Sequence, residues 1–72
     1  MGEVDFLAKL PNSEIEVLIE EWVHSKRDRD LLKRRFIDGI KYEALAEEFD
    51  LSVRRTKAIV YNARNQLSAH VS

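Results

Sequence analysis

The chain has 72 residues, of which 44% are hydrophobic and 35% charged, a balance typical of one small folded helical domain and not of a disordered chain. It contains no cysteine, which excludes a disulfide framework and a thiolate metal site. The net charge is −1, but residues 1–23 carry −5, residues 24–41 carry +4, residues 42–51 carry −4 and residues 52–72 carry +4. This segmented charge predicts a positive face beside an acidic one.

The sequence indicates neither a membrane segment nor an export signal. Its apolar runs are far shorter than the roughly 20 residues that a membrane-spanning helix needs. The N-terminus lacks the basic and then apolar pattern of a signal peptide. We therefore expect a cytoplasmic protein with no membrane partner.

The N-terminal part of the chain divides near Pro11. Residues 1–12 are predicted to form an arm or a short helix, because Pro11 interrupts their apolar pattern. Ser13 and Glu16 have the spacing of a capping box, so the main domain, residues 13–68, is predicted to begin with a helix at Ser13. The apolar stripe of this helix consists of Ile15, Leu18, Ile19, Trp22 and Val23.

A second helix is predicted after Ser25, which forms another capping-box pattern with Asp28. Its apolar face consists of Leu31, Leu32, Phe36 and Ile37. Gly39 suits the position just beyond the end of this helix, because glycine adopts the left-handed backbone there without steric cost.

Residues 42–67 predict two further helices joined by a tight turn. The apolar face of the first consists of Leu45, Ala46 and Phe49. In the turn, Asp50 tolerates a left-handed backbone, Leu51 points into the core, and Ser52 suits the N-cap of the next helix. The buried face of that last helix is predicted to consist of Thr56, Ile59, Val60, Ala63 and Leu67.

The exposed face of the last helix is basic. It carries Arg54, Lys57 and Tyr61, flanked by Arg55 and Ala58. A short helix, a three-residue turn and a second helix with a basic outer face are typical of a helix-turn-helix, in which the second helix enters the major groove of DNA.

The expected fold is therefore all-α, with four short helices, or five if the N-terminal segment is helical, and a frayed tail at residues 69–72. No nucleophile–base pair and no group of metal ligands at suitable spacing is evident in the sequence. We accordingly expect no enzyme activity, no metal, no cofactor and no small-molecule substrate.

Several motifs occur in the order and spacing of a known family: Gly39, the YEALA run at 42–46, the DLS turn at 50–52, and Ala63 with Leu67. Through them the segment 26–68 resembles region four, the C-terminal domain of bacterial primary-type sigma factors. Small prophage and mobile-element regulators are similar in size and layout. The resemblance implies a domain that reads an upstream promoter element and docks on RNA polymerase.

The resemblance also implies roles for individual residues. Ser52 stands at a position that contacts a phosphate, and the DNA-reading positions are Val53, Arg54, Arg55, Lys57 and Ala58. Val53 and Ala58 replace polar family residues, so we expect a different DNA sequence to be read. Asp50 replaces the family's usual glycine, and Thr56 replaces its usual aliphatic residue.

Other polar residues have two interpretations each. Tyr61 either reaches a phosphate or packs on the protein. Lys33, Arg34 and Lys41 are candidate phosphate contacts, with an ordinary solvated surface as the alternative.

Two functional hypotheses follow from the sequence. The first is sequence-specific binding of double-stranded DNA by a sigma-like transcription regulator, helped by homodimer formation or by RNA polymerase. The alternative is a protein-interaction module that docks on RNA polymerase or on a phage component without reading DNA, which the net charge of −1 favours.

Overall fold

The computed structural model describes residues 9–70, which form four α-helices and no strand. The helices are α1 (Asn12–Trp22), α2 (Lys26–Phe36), α3 (Tyr42–Glu48) and α4 (Val53–Ser68). The prediction of an all-α fold is confirmed for this part of the chain. The arm or fifth helix predicted at residues 1–12 falls mostly on residues 1–8, and the predicted tail includes residues 71–72. Both of these segments lie outside the described residues.

None of the four helices in the described region combines the length and the apolar character needed to cross a bilayer.

The start of α1 differs from the prediction. The helix begins at Asn12 with Pro11 in the N-cap position, and no side chain caps it, so the predicted Ser13 capping box is wrong. Proline has no backbone N–H and its φ is fixed near the observed −66°, so it fits just before a helix at no cost. The Pro11 carbonyl accepts from the N–H groups of Glu14 and Ile15 at 3.0 and 3.1 Å, and Ser13 lies inside the first turn.

The two ends of α2 follow the sequence more closely. The Ser25 hydroxyl accepts from the Asp28 N–H at 3.3 Å, while the Asp28 carboxylate contacts Arg27 instead of returning to Ser25. Only half of the predicted capping box therefore forms. Beyond the helix, Gly39 adopts φ +72°, and the Ile40 N–H donates to the Arg34 carbonyl at 3.2 Å.

The turn between α3 and α4 has the predicted local structure. Asp50 lies in the left-handed region at φ +60°, and the Leu51 N–H donates to the Ala46 carbonyl at 2.8 Å. The Ser52 hydroxyl then caps α4 by accepting from the Arg55 N–H at 3.0 Å. These bonds satisfy backbone groups at the end of one helix and the start of the next, and they fix the direction in which α4 leaves the turn.

One core joins all four helices. Its fully buried residues include one leucine or isoleucine from every helix, namely Ile19, Leu31, Leu45 and Leu67. Leu51 packs against this core from the turn. The apolar faces predicted for the helices are the faces that the structure buries, so the exposed faces are set by the same pattern.

Trp22 lies at the edge of the core, half-buried, and it links α1 to the C-terminal end of α4. Its ring stacks on the ring of His70, with 3.7 Å between centroids and 5° between planes. Its carbonyl accepts from the Gln66 side-chain amide at 3.2 Å. The predicted fraying after Leu67 did not include this contact of His70, because the contact depends on how α1 packs against α4.

Candidate nucleic-acid interface

The exposed surface of α4 is positioned by its buried face. Thr56, Val60 and Ala63 are buried, so this face of α4 packs against the core. The Thr56 hydroxyl donates to the Ser52 carbonyl at 2.9 Å within the first turn of the helix. The side chains on the other side point to solvent: Arg54, Arg55, Lys57, Ala58 and Tyr61 are exposed. Five of the seven predicted site residues are therefore exposed on α4, with Lys57 on the flank facing α3 and Arg55 on the flank facing the α1–α2 junction.

The remaining two predicted residues of this site lie at the start of α4. Val53 is half-buried in the first turn. Ser52 is exposed, and its oxygen already accepts the Arg55 N–H. The Ser52 hydroxyl hydrogen is still available for donation, because a hydroxyl can donate one bond while accepting others.

Ion pairs divide the cations of the molecule into two groups. Every ion pair within residues 9–70 uses a cation of α2: Lys26, Arg27, Arg29, Lys33 or Arg34. In the same region, no carboxylate lies within ion-pair distance of any cation of α4. The positive charge of these five α2 residues is therefore balanced within the protein, whereas Arg35 of α2 and the cations of α4 remain available to an external anion.

Two of the predicted phosphate contacts belong to the balanced group. Lys33 pairs with Glu20 of α1, and their hydrogen bond raises the pKa of Lys33 and lowers the pKa of Glu20. Arg34 donates to the Glu48 carboxylate from Nε and from Nη2, each at 3.1 Å, and to the Asp38 carboxylate from Nη1 at 3.1 Å. The third predicted contact, Lys41, is exposed just before α3.

A cluster that the sequence analysis missed lies beside the exposed face of α4, and we call it the cation–tyrosine cluster. It consists of Arg35, Tyr42, Lys57, Tyr61 and Arg64. The Arg35 guanidinium carbon lies 4.3 Å from the Tyr42 ring centroid, and Lys57 Nζ lies 5.6 Å from it. The two tyrosine rings meet edge to face at 6.3 Å, and the Arg64 guanidinium lies 5.8 Å from the Tyr61 ring.

The cluster spans three helices, and a hydrogen bond to the backbone anchors one end of it. At one end, Arg35 donates to the Ile40 carbonyl at 2.9 Å, which fixes the guanidinium over Tyr42. Partial burial raises the pKa of Tyr42, so its phenol stays neutral and can donate a hydrogen bond. At the other end, Arg64 is half-buried.

Part of this cluster was visible in the sequence. Arg64 follows Tyr61 by three residues, so it continues the exposed row of Arg54, Lys57 and Tyr61, and helical spacing alone could have indicated it. The contributions of Arg35 and Tyr42 come from other helices and required the tertiary structure.

The surroundings of α4 are not uniformly positive. Glu43 and Glu47 of α3 are exposed, and within residues 9–70 neither is in an ion pair. On the other flank, a groove of about 300 Å³ between α4 and the α1–α2 junction includes Asp28 with Arg55, Ala58 and other residues. Within residues 9–70 no group of His, Asp and Glu side chains is arranged to hold a metal ion.

No protein family, no curated protein and no solved structure matches this chain.

Proposed function

We propose that this protein is a sequence-specific, double-stranded DNA-binding regulator of the sigma region-four type, in which α3 and α4 form a helix-turn-helix. The observation that supports this most directly is the division of the cations. The exposed face of α4 keeps its positive charge available, although the whole chain carries a net charge of −1. A helix with one face locked in the core and a cationic outer face suits the major groove.

The proposed contacts divide between bases and backbone. Arg54, which is exposed in the first turn of α4, would place its guanidinium on a guanine edge, and such a bidentate pair gives about 1–3 kcal/mol of discrimination. Val53 and Ala58 offer apolar contacts that suit a thymine methyl group. Ser52 would donate its hydroxyl hydrogen to a phosphate, and Arg55, on the far flank of the helix, would contact the opposite strand.

A single module of this size would bind one half-site weakly, so we propose that a second copy or RNA polymerase contributes to binding. A regulator of this kind would act in the cytoplasm, where bacterial DNA lies.

The test is a fluorescence-anisotropy titration against a random pool of duplex DNA at low and at physiological salt. We expect binding that weakens steeply with salt, because neutralised phosphates release counterions. Replacing Arg54 and Lys57 together by alanine should weaken binding at least about tenfold, since one base contact and one phosphate contact are lost. The matched control replaces Lys26 and Arg27 by alanine, which removes two exposed cations of α2 that already pair with Asp30 and Asp28.

Two results would contradict the proposal. One is an affinity for duplex DNA that is the same in the Arg54 and Lys57 double variant as in the wild type. The other is the absence of any binding by the wild-type protein at low salt.

The second candidate function, a protein-interaction module, is favoured by the outer face of α1. Val17 is 59% exposed there, and it is surrounded by the exposed carboxylates of Glu14, Glu16 and Glu21. An apolar side chain ringed by acids suits a protein partner with a basic surface. Co-purification with RNA polymerase, in a protein that fails to bind duplex DNA, would establish this function in place of the first.

A further inference from the structure

We propose that the cation–tyrosine cluster is a binding site for the DNA backbone, in which Arg35, Lys57 and Arg64 contact phosphates of one strand. The inference depends on the proposed DNA-binding function. It adds Arg35, Tyr42 and Arg64 to the interface, and it moves the phosphate contacts from Lys33 and Arg34 to a different edge of the molecule.

The first argument is charge. Aromatic rings, and no carboxylates, position the three cations, and within residues 9–70 none of the three is in an ion pair. A ring face attracts a cation by only about 0.5–1 kcal/mol at an exposed site, and it does not neutralise the charge. The cluster therefore holds three positive charges in place while leaving them available. Lys33 and Arg34 differ in this respect, because each already pairs with a carboxylate of the protein.

The second argument is position. Lys57 and Arg64 lie two turns apart along the flank of α4 that faces α3, where the Tyr42 ring lies between the helices. Arg54 lies nearer the centre of the exposed face. If the middle of the exposed face of α4 reads base edges, the cations along the flank of the helix lie against the wall of the groove. That wall is the sugar–phosphate backbone, because the major groove is only about 12 Å wide.

The third argument is the supply of hydrogen-bond donors. Arg64 Nε has no acceptor among residues 9–70, so no hydrogen bond from this atom ties the guanidinium to the protein. Because Nε itself is buried, a phosphate would be contacted by the terminal nitrogens of Arg64. Tyr42 and Tyr61 also belong to the cluster, and their hydroxyls add two neutral donors. A phosphate provides several anionic acceptor oxygens, which charged and neutral donors share in protein–DNA contacts.

The test measures how the affinity for duplex DNA depends on salt in two single variants, Arg35→Gln and Arg64→Gln. Each lost phosphate contact should reduce the slope of log affinity against log salt by about 0.9. The preferred sequence, selected from the random pool, should stay the same, because phosphates carry no base identity. Lys26→Gln is the matched control, since it removes one exposed cation of α2 outside the cluster and should leave the slope unchanged.

The outcomes separate this inference from the proposed function. Wild-type slopes in both variants would overturn the backbone site while leaving α4 as the proposed reading helix. A changed sequence preference in Arg64→Gln would also overturn it, because that result assigns Arg64 to a base. If the wild-type protein itself fails to bind duplex DNA, the proposed function fails and the site fails with it.

Arg35→Gln also removes the hydrogen bond to the Ile40 carbonyl, so its fold is checked by circular dichroism. If that variant unfolds, Arg64→Gln decides alone, because no hydrogen bond of the Arg64 side chain exists among the described residues to be lost.

Discussion

Asp50 is the one non-glycine residue among residues 9–70 whose backbone has a positive φ, at +60°. The side-chain Cβ makes this conformation cost roughly 1–2 kcal/mol for most residues, and aspartate tolerates it better than branched residues do. The chain needs the conformation because it allows the Leu51 N–H to reach the Ala46 carbonyl. A single backbone angle thus sets the direction of α4.

At this position we predict opposite effects of two substitutions. Asp50→Val should lower the free energy of unfolding by about 1–2 kcal/mol, because a β-branched side chain is the least compatible with positive φ. Asp50→Gly should stay within about 1 kcal/mol of wild type, because the relief of strain offsets the greater backbone entropy of unfolded glycine. Urea unfolding measures both. Equal destabilisation by the two substitutions would contradict a strained turn.

The role of the Thr56 hydroxyl could not be predicted from the sequence. The position of Thr56 on the apolar face was predictable from helical spacing. The sequence did not explain why a residue with a hydroxyl stands there, where region four of sigma factors usually has an aliphatic residue. The structure explains it, because Thr56 is fully buried and its hydroxyl donates to the Ser52 carbonyl. The polar atom is satisfied within the same helical turn, so its burial carries no penalty for a missing partner.

At the scale of the helices, the local sequence pattern predicts some N-cap residues correctly, and at α1 a neighbouring proline changes the result. Three serines, Ser13, Ser25 and Ser52, were predicted to cap helices, and the last two do so. The pattern around Ser13 resembles the pattern around Ser25, and it fails because Pro11 starts the helix earlier. The sequence therefore gives the existence of the helices reliably, and their first residues less so.

Ser52→Ala should lower the free energy of unfolding by about 1 kcal/mol, because the Arg55 N–H loses its acceptor at the start of α4. Ser13→Ala is the matched control and should change stability by less than about 0.5 kcal/mol, since Ser13 caps no helix and is exposed. Thermal or urea unfolding of both variants measures the difference. Equal effects would show that α1 uses Ser13 as a cap after all.

At the scale of the whole molecule, ion pairs between helices connect segments that are distant in the sequence. Lys33 of α2 pairs with Glu20 of α1, and Arg34 pairs with Glu48 of α3. Helix periodicity predicted that these residues lie on the surface. It could not identify the carboxylate that pairs with each cation, because that depends on how the helices cross. The cation–tyrosine cluster escaped prediction for the same reason. Most of the fold was thus predictable from the sequence, whereas the distribution of available charge was not.

The Glu20–Lys33 pair predicts how stability depends on pH. The hydrogen bond from Lys33 holds the pKa of Glu20 below its ordinary value of 4.5. A lowered pKa in the folded state contributes stability that is present above pH 4.5 and is lost as the pH falls through the lowered value. Glu20→Gln should therefore show a smaller drop in melting temperature on acidification below pH 4.5 than wild type.

The control for this prediction is Glu21→Gln, which removes a neighbouring exposed carboxylate that forms no ion pair within residues 9–70. It should leave the acid dependence of the wild type unchanged. Identical acid profiles in wild type and Glu20→Gln would contradict a stabilising pair.

The separation of charge between α1 and α4 gives the molecule an electric dipole moment although its net charge is only −1. The exposed face of α1 carries Glu14, Glu16 and Glu21, whereas that of α4 carries Arg54, Arg55 and Lys57. Near a polyanion, such a dipole experiences a torque that turns α4 toward the surface and α1 away from it. If the protein binds DNA as proposed, encounters in which α4 leads are favoured, so we expect the association rate to depend on the charge of α4 as well as on the total charge.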